Sequence, residues 1–345
     1  MAFAINGYFR TQSITGQQRY AREIATRLPN LLDQVVEYRA PRRTAGNRYL
    51  EWIDLQVGLP VRARNSVLIS LTSRAPVAVQ REVVTIHDLF PLSNPEWYAK
   101  GYAAFHRALL RHHLKHAAGL VVVSEPVRQL VLAYVRRSVP VVVAPNAAAP
   151  LEPAGDDGDQ ALAGPAQGPP SSGYFLTVGS LEPRKNLATL LRGYALLDAE
   201  LRAAYPLMVV GGTSNVFQED RNVAKWTTPG VRFLGRVPDH QLSRLYRHAT
   251  TFVSVSLAEG FGVPVVEASA YGRCALVLSD IPVYRWICDG GPAAFVDPLS
   301  PTDIAQALGR SVNVPVDRAG LRHIAAKFSW DASAQAVADL AQRQI

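Results

Sequence analysis

Cysteine is almost missing from this chain of 345 residues: Cys274 and Cys288 are its whole supply. Two thiols are too few for a disulfide framework or a zinc site, so reduced thiols and a cytoplasmic setting are the expectation. No apolar run approaches the ~20 residues that a membrane span needs. The opening M-A-F-A-I-N-G-Y-F-R turns polar too early for a signal peptide. The first βα turn lacks G-x-G-x-x-G, which argues against a dinucleotide oxidoreductase. No stretch interleaves basic and aromatic residues as nucleic-acid recognition requires. Acid is also in deficit, with 28 Asp and Glu against 36 Lys and Arg, a formal net charge of +8. That balance favours anionic partners: nucleotides, phospholipid head groups or nucleic acid. Charge alone keeps a nucleic-acid-binding protein as a remote alternative.

What is abundant is apolar: 48% of the chain is hydrophobic, enough for a sizeable core and against global disorder. The length fits two α/β domains. Short apolar strands are expected at Phe3–Gly7, Val67–Leu71, Val83–His87, Leu120–Ser124 and Val141–Ala144. Others are expected at Tyr174–Val178, Leu207–Val210, Val231–Leu234, Thr251–Val255, Ala275–Leu278 and Ala294–Val296. Near-continuous Val, Ile and Leu strands alternating with helices indicate parallel sheets covered on both faces. Residues 151–173, rich in Pro, Gly, Ala and Asp, cannot support a core and read as a linker. The expectation is therefore α/β, with doubly wound domains at 1–150 and 174–327 facing a cleft. The stretch 328–345 is expected as a helix returning to the first domain. The linker's Asp157-Gly158-Asp159 matches a D-x-D metal signature but lies outside any strand end, so it reads as a solvated loop.

The most informative stretch is E-G-F-G-V-P-V-V-E, Glu259 to Glu267, which follows the strand at Thr251 and opens a helix. Pro264 suits a first helical position and Gly272 a left-handed C-terminal one. The helix therefore points its free N–H groups and positive dipole end at the loop Gly260, Phe261, Gly262 and Val263, a seat for phosphate. Glu259 and Glu267 flank that seat. Carboxylates repel phosphate, so neutral hydroxyls are their expected partners. A diphosphate with a sugar at one end and ribose at the other suits this layout; a solvated loop acid is the plainer alternative for Glu259. At the end of the second domain's first strand comes G-S-L-E-P-R-K-N-L, Gly179 to Leu187. Its Arg184 and Lys185 can neutralise charge building on a leaving nucleotide, or simply cap the next helix. His87 ends a strand of the first domain, either at a reacting sugar or as a buried structural histidine. Gly16 reads as a glycine turn before an amphipathic helix, able to approach a phosphate.

These pieces together resemble the GT-B-fold retaining glycosyltransferases of family GT4, and within it the bacterial O-antigen and exopolysaccharide mannosyltransferases. The resemblance also rests on V-T-I-H-D-L-F-P-L-S-N-P-E-W-Y, V-V-V-S-E-P-V, V-V-V-A-P-N and V-R-F-L-G-R-V, in family order over nearly the whole length. It implies that Glu259 binds hydroxyls of the donor sugar, while the backbone of Gly260–Val263 meets sugar and phosphate. Glu267 would hold the ribose, Lys185 with Arg184 and Gly16 the diphosphate, and Arg236-Val237 the base. His87 would lie near the sugar's reacting face. Ser180 departs from the family, where many members carry arginine; Arg184 is the candidate replacement. The implied co-substrate is GDP-mannose, with a UDP-sugar or a GDP-deoxyhexose as alternatives and no metal or other cofactor. The implied acceptor is a growing glycan on a polyprenyl diphosphate.

Lys100–His116 places Arg107, Arg111 and Lys115 four apart on one helical face, and Arg42 and Arg43 add charge nearby. Such a basic amphipathic stretch can rest on an anionic bilayer, which leads to an expected peripheral contact with the inner face of the cytoplasmic membrane. A solvated helix face is the alternative.

Overall fold

A computed structural model describes residues 2–12, 14–42, 44, 46–135, 139–148, 173–212 and 228–345. The linker expected at 151–173, with its Asp157 and Asp159, lies outside them except for Gly173. Two compact units emerge. The first comprises Met1–Glu96, Lys100–Asn146 and Phe328–Ile345; the second comprises Trp97–Ala99 and Ala147–Lys327.

Among the described residues the first unit holds six strands: β1 (Ala2–Asn6), β2 (Val35–Tyr38), β3 (Ser66–Ser70), β4 (Glu82–Ile86), β5 (Gly119–Val122) and β6 (Val141–Val143). They are parallel throughout and ordered β2-β1-β3-β4-β5-β6. β2 has no counterpart in the sequence expectations. It is four residues long and sits at the sheet edge, where only one flank is covered, so its V-V-E-Y lacks the unbroken apolar run of a central strand. The helix Trp330–Gln342 packs in this unit: Ser333 donates to the Pro145 carbonyl at 2.7 Å, and Asp331 pairs with Arg27 at 2.6 Å.

The second unit repeats the plan with β7 (Phe175–Val178), β8 (Leu207–Val210), β9 (Val231–Gly235), β10 (Thr251–Ser254), β11 (Ala275–Ser279) and β12 (Ala293–Val296). Its order is β12-β11-β10-β7-β8-β9, again all parallel. The helix Leu187–Ala195 buries Leu187, Leu190, Leu191 and Tyr194 against Phe175, Val209 and Val253, with Ile304 and Leu308 of the helix Pro301–Ser311 in the same cluster. Strand order reverses at β7, which has β8 on one side and β10 on the other. The loops after β7 and β10 therefore leave neighbouring strands in opposite directions and open a crevice at the carboxyl edge, where doubly wound sheets bind ligands.

Candidate active site

The two loops singled out from the sequence are the ones that leave this switch point. After β7 the chain runs through Gly179 to a short 3-10 turn, Pro183–Lys185, and then Asn186. Asn186 takes a left-handed conformation (φ 56°, ψ 34°), which asparagine tolerates better than most residues. Its side-chain amide donates to the carbonyls of Val255 at 3.0 Å and Pro298 at 2.7 Å, pinning this loop to the end of β10. The backbone adds a bond from Leu257 N–H to the Arg184 carbonyl at 2.8 Å. Close approach also depends on Gly211 (φ +139°), where a Cβ would stand 1.8 Å from the Gly179 carbonyl oxygen.

After β10 comes Glu259, and then the helix Val263–Tyr271. Pro264 is its second residue rather than its first, and the left-handed glycines Gly262 (φ 106°) and Gly272 (φ 60°) close its two ends. Phe261 is buried, edge-on to Trp286 at 6.1 Å. The helix end thus presents backbone N–H groups and positive dipole to the Gly260–Val263 loop.

Glu259 is not a solvated loop acid: its side chain is only 6% exposed. One carboxylate oxygen accepts from Lys185 Nζ at 2.6 Å, Ser256 Oγ at 2.8 Å and Tyr284 Oη at 3.4 Å. The other accepts from Arg184 Nη1 at 2.5 Å. Arg184 is in turn held by Glu182 at 2.5 Å and by the Ala258 carbonyl at 2.9 Å. Lys185 lays its stem across Gly179, where a Cβ would meet its Cε at 3.1 Å. Burial works to raise the Glu259 pKa, but the charges of Arg184 and Lys185, with the Lys185 and Ser256 hydrogen bonds, outweigh it and bring the group down to about 2. The acid and the two cations, expected from the sequence at the sugar and at the diphosphate of a donor, form one buried network with Glu182. Two carboxylates and two cations thus lie within hydrogen-bond reach of one another, which offsets the cost of withdrawing them from water.

Glu267 lies on the helix and is buried; its carboxylate accepts from the Tyr246 hydroxyl at 3.0 Å. Arg236 and Val237 follow β9, with the Arg236 stem beside Gly212.

His87 and Gly16 belong to the first unit. His87 directly follows β4, is buried, and donates from Nε2 to the Leu71 carbonyl at 3.0 Å, with its ring edge-on to Tyr20 at 5.1 Å. Burial lowers its pKa to about 4, against the pull of the Leu71 bond. The ring is therefore neutral at pH 7, a donor at Nε2 and an acceptor at Nδ1. Gly16 is not the glycine turn expected: it is the first residue of the helix Gly16–Arg27, entered through a Thr15–Gln18 capping box, and a Cβ there would meet nothing within 4 Å.

Sequence reading missed Glu182, Asn186, Tyr246, Ser256 and Tyr284. Glu182, Asn186 and Ser256 stand within or beside the quoted motifs. Nothing local marks the two tyrosines, which arrive from the helices Asp239–His248 and Pro282–Cys288.

The loops, the helix and their charges all fall inside one matched region: residues 166–328 fit the family model for glycosyl transferases group 1. The second unit carries a group 1 glycosyltransferase domain. Relatives of the chain include O-antigen chain mannosyltransferase B of Escherichia coli, 32% identical over 57% of this chain and 52% of that protein. The chain thus spans about half the length of that relative. O-antigen chain mannosyltransferase RfbU of Salmonella typhimurium is 24% identical over 90% of this chain and 82% of its own. Among solved structures, sucrose-phosphate synthase from Thermosynechococcus elongatus superposes with a TM-score of 0.70 at 15% identity, covering 99% of this chain and 98% of that one. The α/β GT-B fold implied by the resemblance is the fold observed, and the group 1 domain contains Arg184, Lys185, Glu259 and Glu267.

Proposed function

We propose that the chain is a retaining hexosyltransferase that moves mannose from GDP-mannose to a growing, lipid-linked surface glycan. The observation that carries this reading is the Arg184–Lys185–Glu259 network beside a glycine-capped helix end at the switch point of the second sheet. Glu259 binds hydroxyls of the transferred sugar, the helix end and both cations take the diphosphate, and Glu267 takes the ribose. The turn at Arg236-Val237 meets the base.

Transfer then runs on one face of the sugar. The bond from the anomeric carbon to the phosphate oxygen breaks and a bond to the acceptor oxygen forms on the same side. The acceptor's proton passes to the departing phosphate oxygen. Charge on the leaving diphosphate is met by Arg184, Lys185 and the helix terminus, so this route requires no metal. Incubating GDP-mannose with lipid-linked glycan acceptors tests the reading. An α-linked mannosyl product is expected; release of the opposite anomer, or turnover of UDP-sugars alone, overturns it. The mannosyltransferase relatives support mannose over the UDP-sugar and GDP-deoxyhexose alternatives.

The acceptor side includes a peripheral contact with an anionic bilayer, and its support lies in the first unit. Residues 39–81 hold eight arginines and two acids, and residues 97–124 hold four bases and no acid. Both acids are withdrawn: Glu51 is buried, and Asp54 is tied to Arg62 at 2.8 Å and to Tyr8. Along the continuous helical stretch Arg48–Arg62, Tyr49 is 84% exposed, and Ile53, Val57 and Val61 are each more than half exposed. They recur every four residues, an apolar ladder roughly 18 Å long at 1.5 Å per residue. Trp52 joins this stretch to the Lys100–His116 helix by packing edge-on against Phe105 at 4.9 Å. Exposed apolar residues in an arginine-rich stretch of sequence suit an anionic interface better than a neutral one. No described helix is long and apolar enough to cross a membrane. Flotation with phosphatidylglycerol vesicles, falling with salt and with Ile53→Ser/Val57→Ser, is the expected result. Equal recovery with phosphatidylcholine vesicles, or none with either, removes the contact.

A further inference from the structure

The carboxylates that bracket the glycine loop share one feature that no motif encodes: a buried tyrosine hydroxyl lies against each. Tyr284 comes from the helix Pro282–Cys288 and is 1% exposed. Its Oη lies 2.6 Å from Ser254 Oγ, 3.4 Å from Ser256 Oγ and 3.4 Å from the Glu259 carboxylate. Tyr246 comes from the helix Asp239–His248, is also 1% exposed, and donates to Glu267 at 3.0 Å.

Proton counting fixes the sense of these bonds. A carboxylate can only accept, so the Tyr246 proton points at Glu267. At the other end Ser254 can donate to Tyr284, leaving the phenolic proton free to point at Glu259 alongside that of Ser256. Both phenols stay protonated, because burial first and then the neighbouring carboxylate push their pKa values up. Each ring is also wedged. A Cβ on Gly262 would meet Tyr284 Cε1 at 2.8 Å, so this ring packs directly under the loop that caps the phosphate-facing helix. Tyr246 lies parallel to Tyr271 at 5.6 Å and tilts against Phe252 at 5.9 Å. Rings fixed this way hold their hydroxyls in place at little further entropic cost.

We propose that Tyr246 and Tyr284 are positioning residues that divide the donor between them: Tyr246 orients Glu267 for the nucleoside, and Tyr284 orients Glu259 for the transferred sugar. The proposal rests on the transferase reading above. The division follows from which carboxylate each hydroxyl touches, and it gives the two tyrosines different kinetic signatures. Losing a group that binds the nucleoside equally in ground and transition states raises KM and leaves kcat alone. Losing one that acts on the reacting sugar lowers kcat.

Tyr246→Phe and Tyr284→Phe each delete one oxygen and keep the ring. A hydrogen bond to a charged group is worth about tenfold at the low end of its range. Tyr246→Phe is therefore expected to weaken GDP binding by calorimetry, and to raise KM for GDP-mannose, about tenfold, with kcat nearly unchanged. Tyr284→Phe is expected to leave GDP binding nearly unchanged and to lower kcat about tenfold. Should either variant fail to fold, Glu267→Gln and Ser256→Ala interrupt the same two chains, and the same split is expected. Identical changes in both variants, in step with lost melting temperature, overturn the proposal, as do two variants that match the parent. A parent protein that binds no nucleoside diphosphate overturns the transferase reading itself, whereas a parent that binds and turns over with no split overturns only the tyrosine assignment.

Discussion

Glu82 in the first unit and Glu259 in the second are both withdrawn from water, and burial pushes both pKa values up. They nevertheless end in opposite states. Glu82 is 2% exposed at the start of β4 and accepts from the Ser70 hydroxyl at 2.7 Å, which itself accepts from Asn6 at 3.0 Å. A hydroxyl does not offset burial, and the Glu82 pKa stays well above the ordinary carboxylate value. Glu259 has two cations within hydrogen-bond reach and falls to about 2. His87 follows the pattern of the first unit, buried and neutral. Neutral polar groups tie strand ends together there, while in the second unit charge is kept in place beneath a loop. Retaining buried charge costs several kcal/mol per ion before pairing offsets it. A site that must meet a charged ligand gives that cost a purpose.

The contrast breaks most completely if the cations are removed. Lys185→Ala takes one charge from the proposed diphosphate seat and a partner from Glu259. Transfer is expected to fall about 100-fold to 1,000-fold, the range for losing one preorganised electrostatic contact, measured as kcat at saturating donor. Near-parental turnover would sink the assigned role.

Paired substitutions sharpen the contrast through pH. A carboxyl whose folded pKa is depressed adds stability above its unfolded pKa, and that stability is lost as pH falls through the folded value. Glu259 thus stabilises the fold at pH 7 by about 3 kcal/mol, taking 1.36 kcal/mol per pKa unit, and this contribution fades from about 4.5 down to about 2. Glu82 has the opposite sign: its contribution is fully present below the unfolded pKa and is lost as pH rises toward the raised folded value. Glu259→Gln should therefore be destabilising at pH 7, with the gap closing in acid. Glu82→Gln should be neutral or stabilising at pH 7, also converging on the parent near pH 4. Denaturant melts from pH 7 down to about pH 2 read both, since the Glu259 gap closes only between about 4.5 and about 2, and parallel curves for the two variants would contradict the contrast.

A smaller effect is expected at Asn186. Its amide satisfies two carbonyls between loops, so Asn186→Ala should cost about 2–3 kcal/mol in denaturant melts, and donor KM should rise as the two loops loosen.

Much of this second-unit site is written locally. Pro264 and Gly272 mark the ends of one helix, Arg184-Lys185 stands at a strand end, and the two glutamates are eight residues apart. Each signal depends only on neighbours in the chain, so composition and spacing expose it. Tyr246 and Tyr284 reach their carboxylates from 21 and 25 residues away. Before folding they are ordinary aromatic positions on amphipathic helices. The same holds for the ion pairing of Glu259, since 74 residues separate it from Lys185. In the first unit, β2 and the helical stretch Arg48–Arg62 were hidden by shortness and by breakers, with Gly58 and Pro60 inside the helix. The apolar ladder on that stretch became visible only once exposure was known. Gly16 misled for a related reason: a glycine after a polar run signals a turn, yet the Thr15 cap makes it the first helical residue.

The network around Glu259 is the proposed seat of a nucleotide-sugar. Calorimetric titration of the parent and of Lys185→Ala with GDP, UDP and GDP-mannose tests this most directly. Binding of GDP and GDP-mannose by the parent, weakened at least about tenfold in the variant, is the result expected. No binding by the parent, or equal affinity in parent and variant, would contradict it.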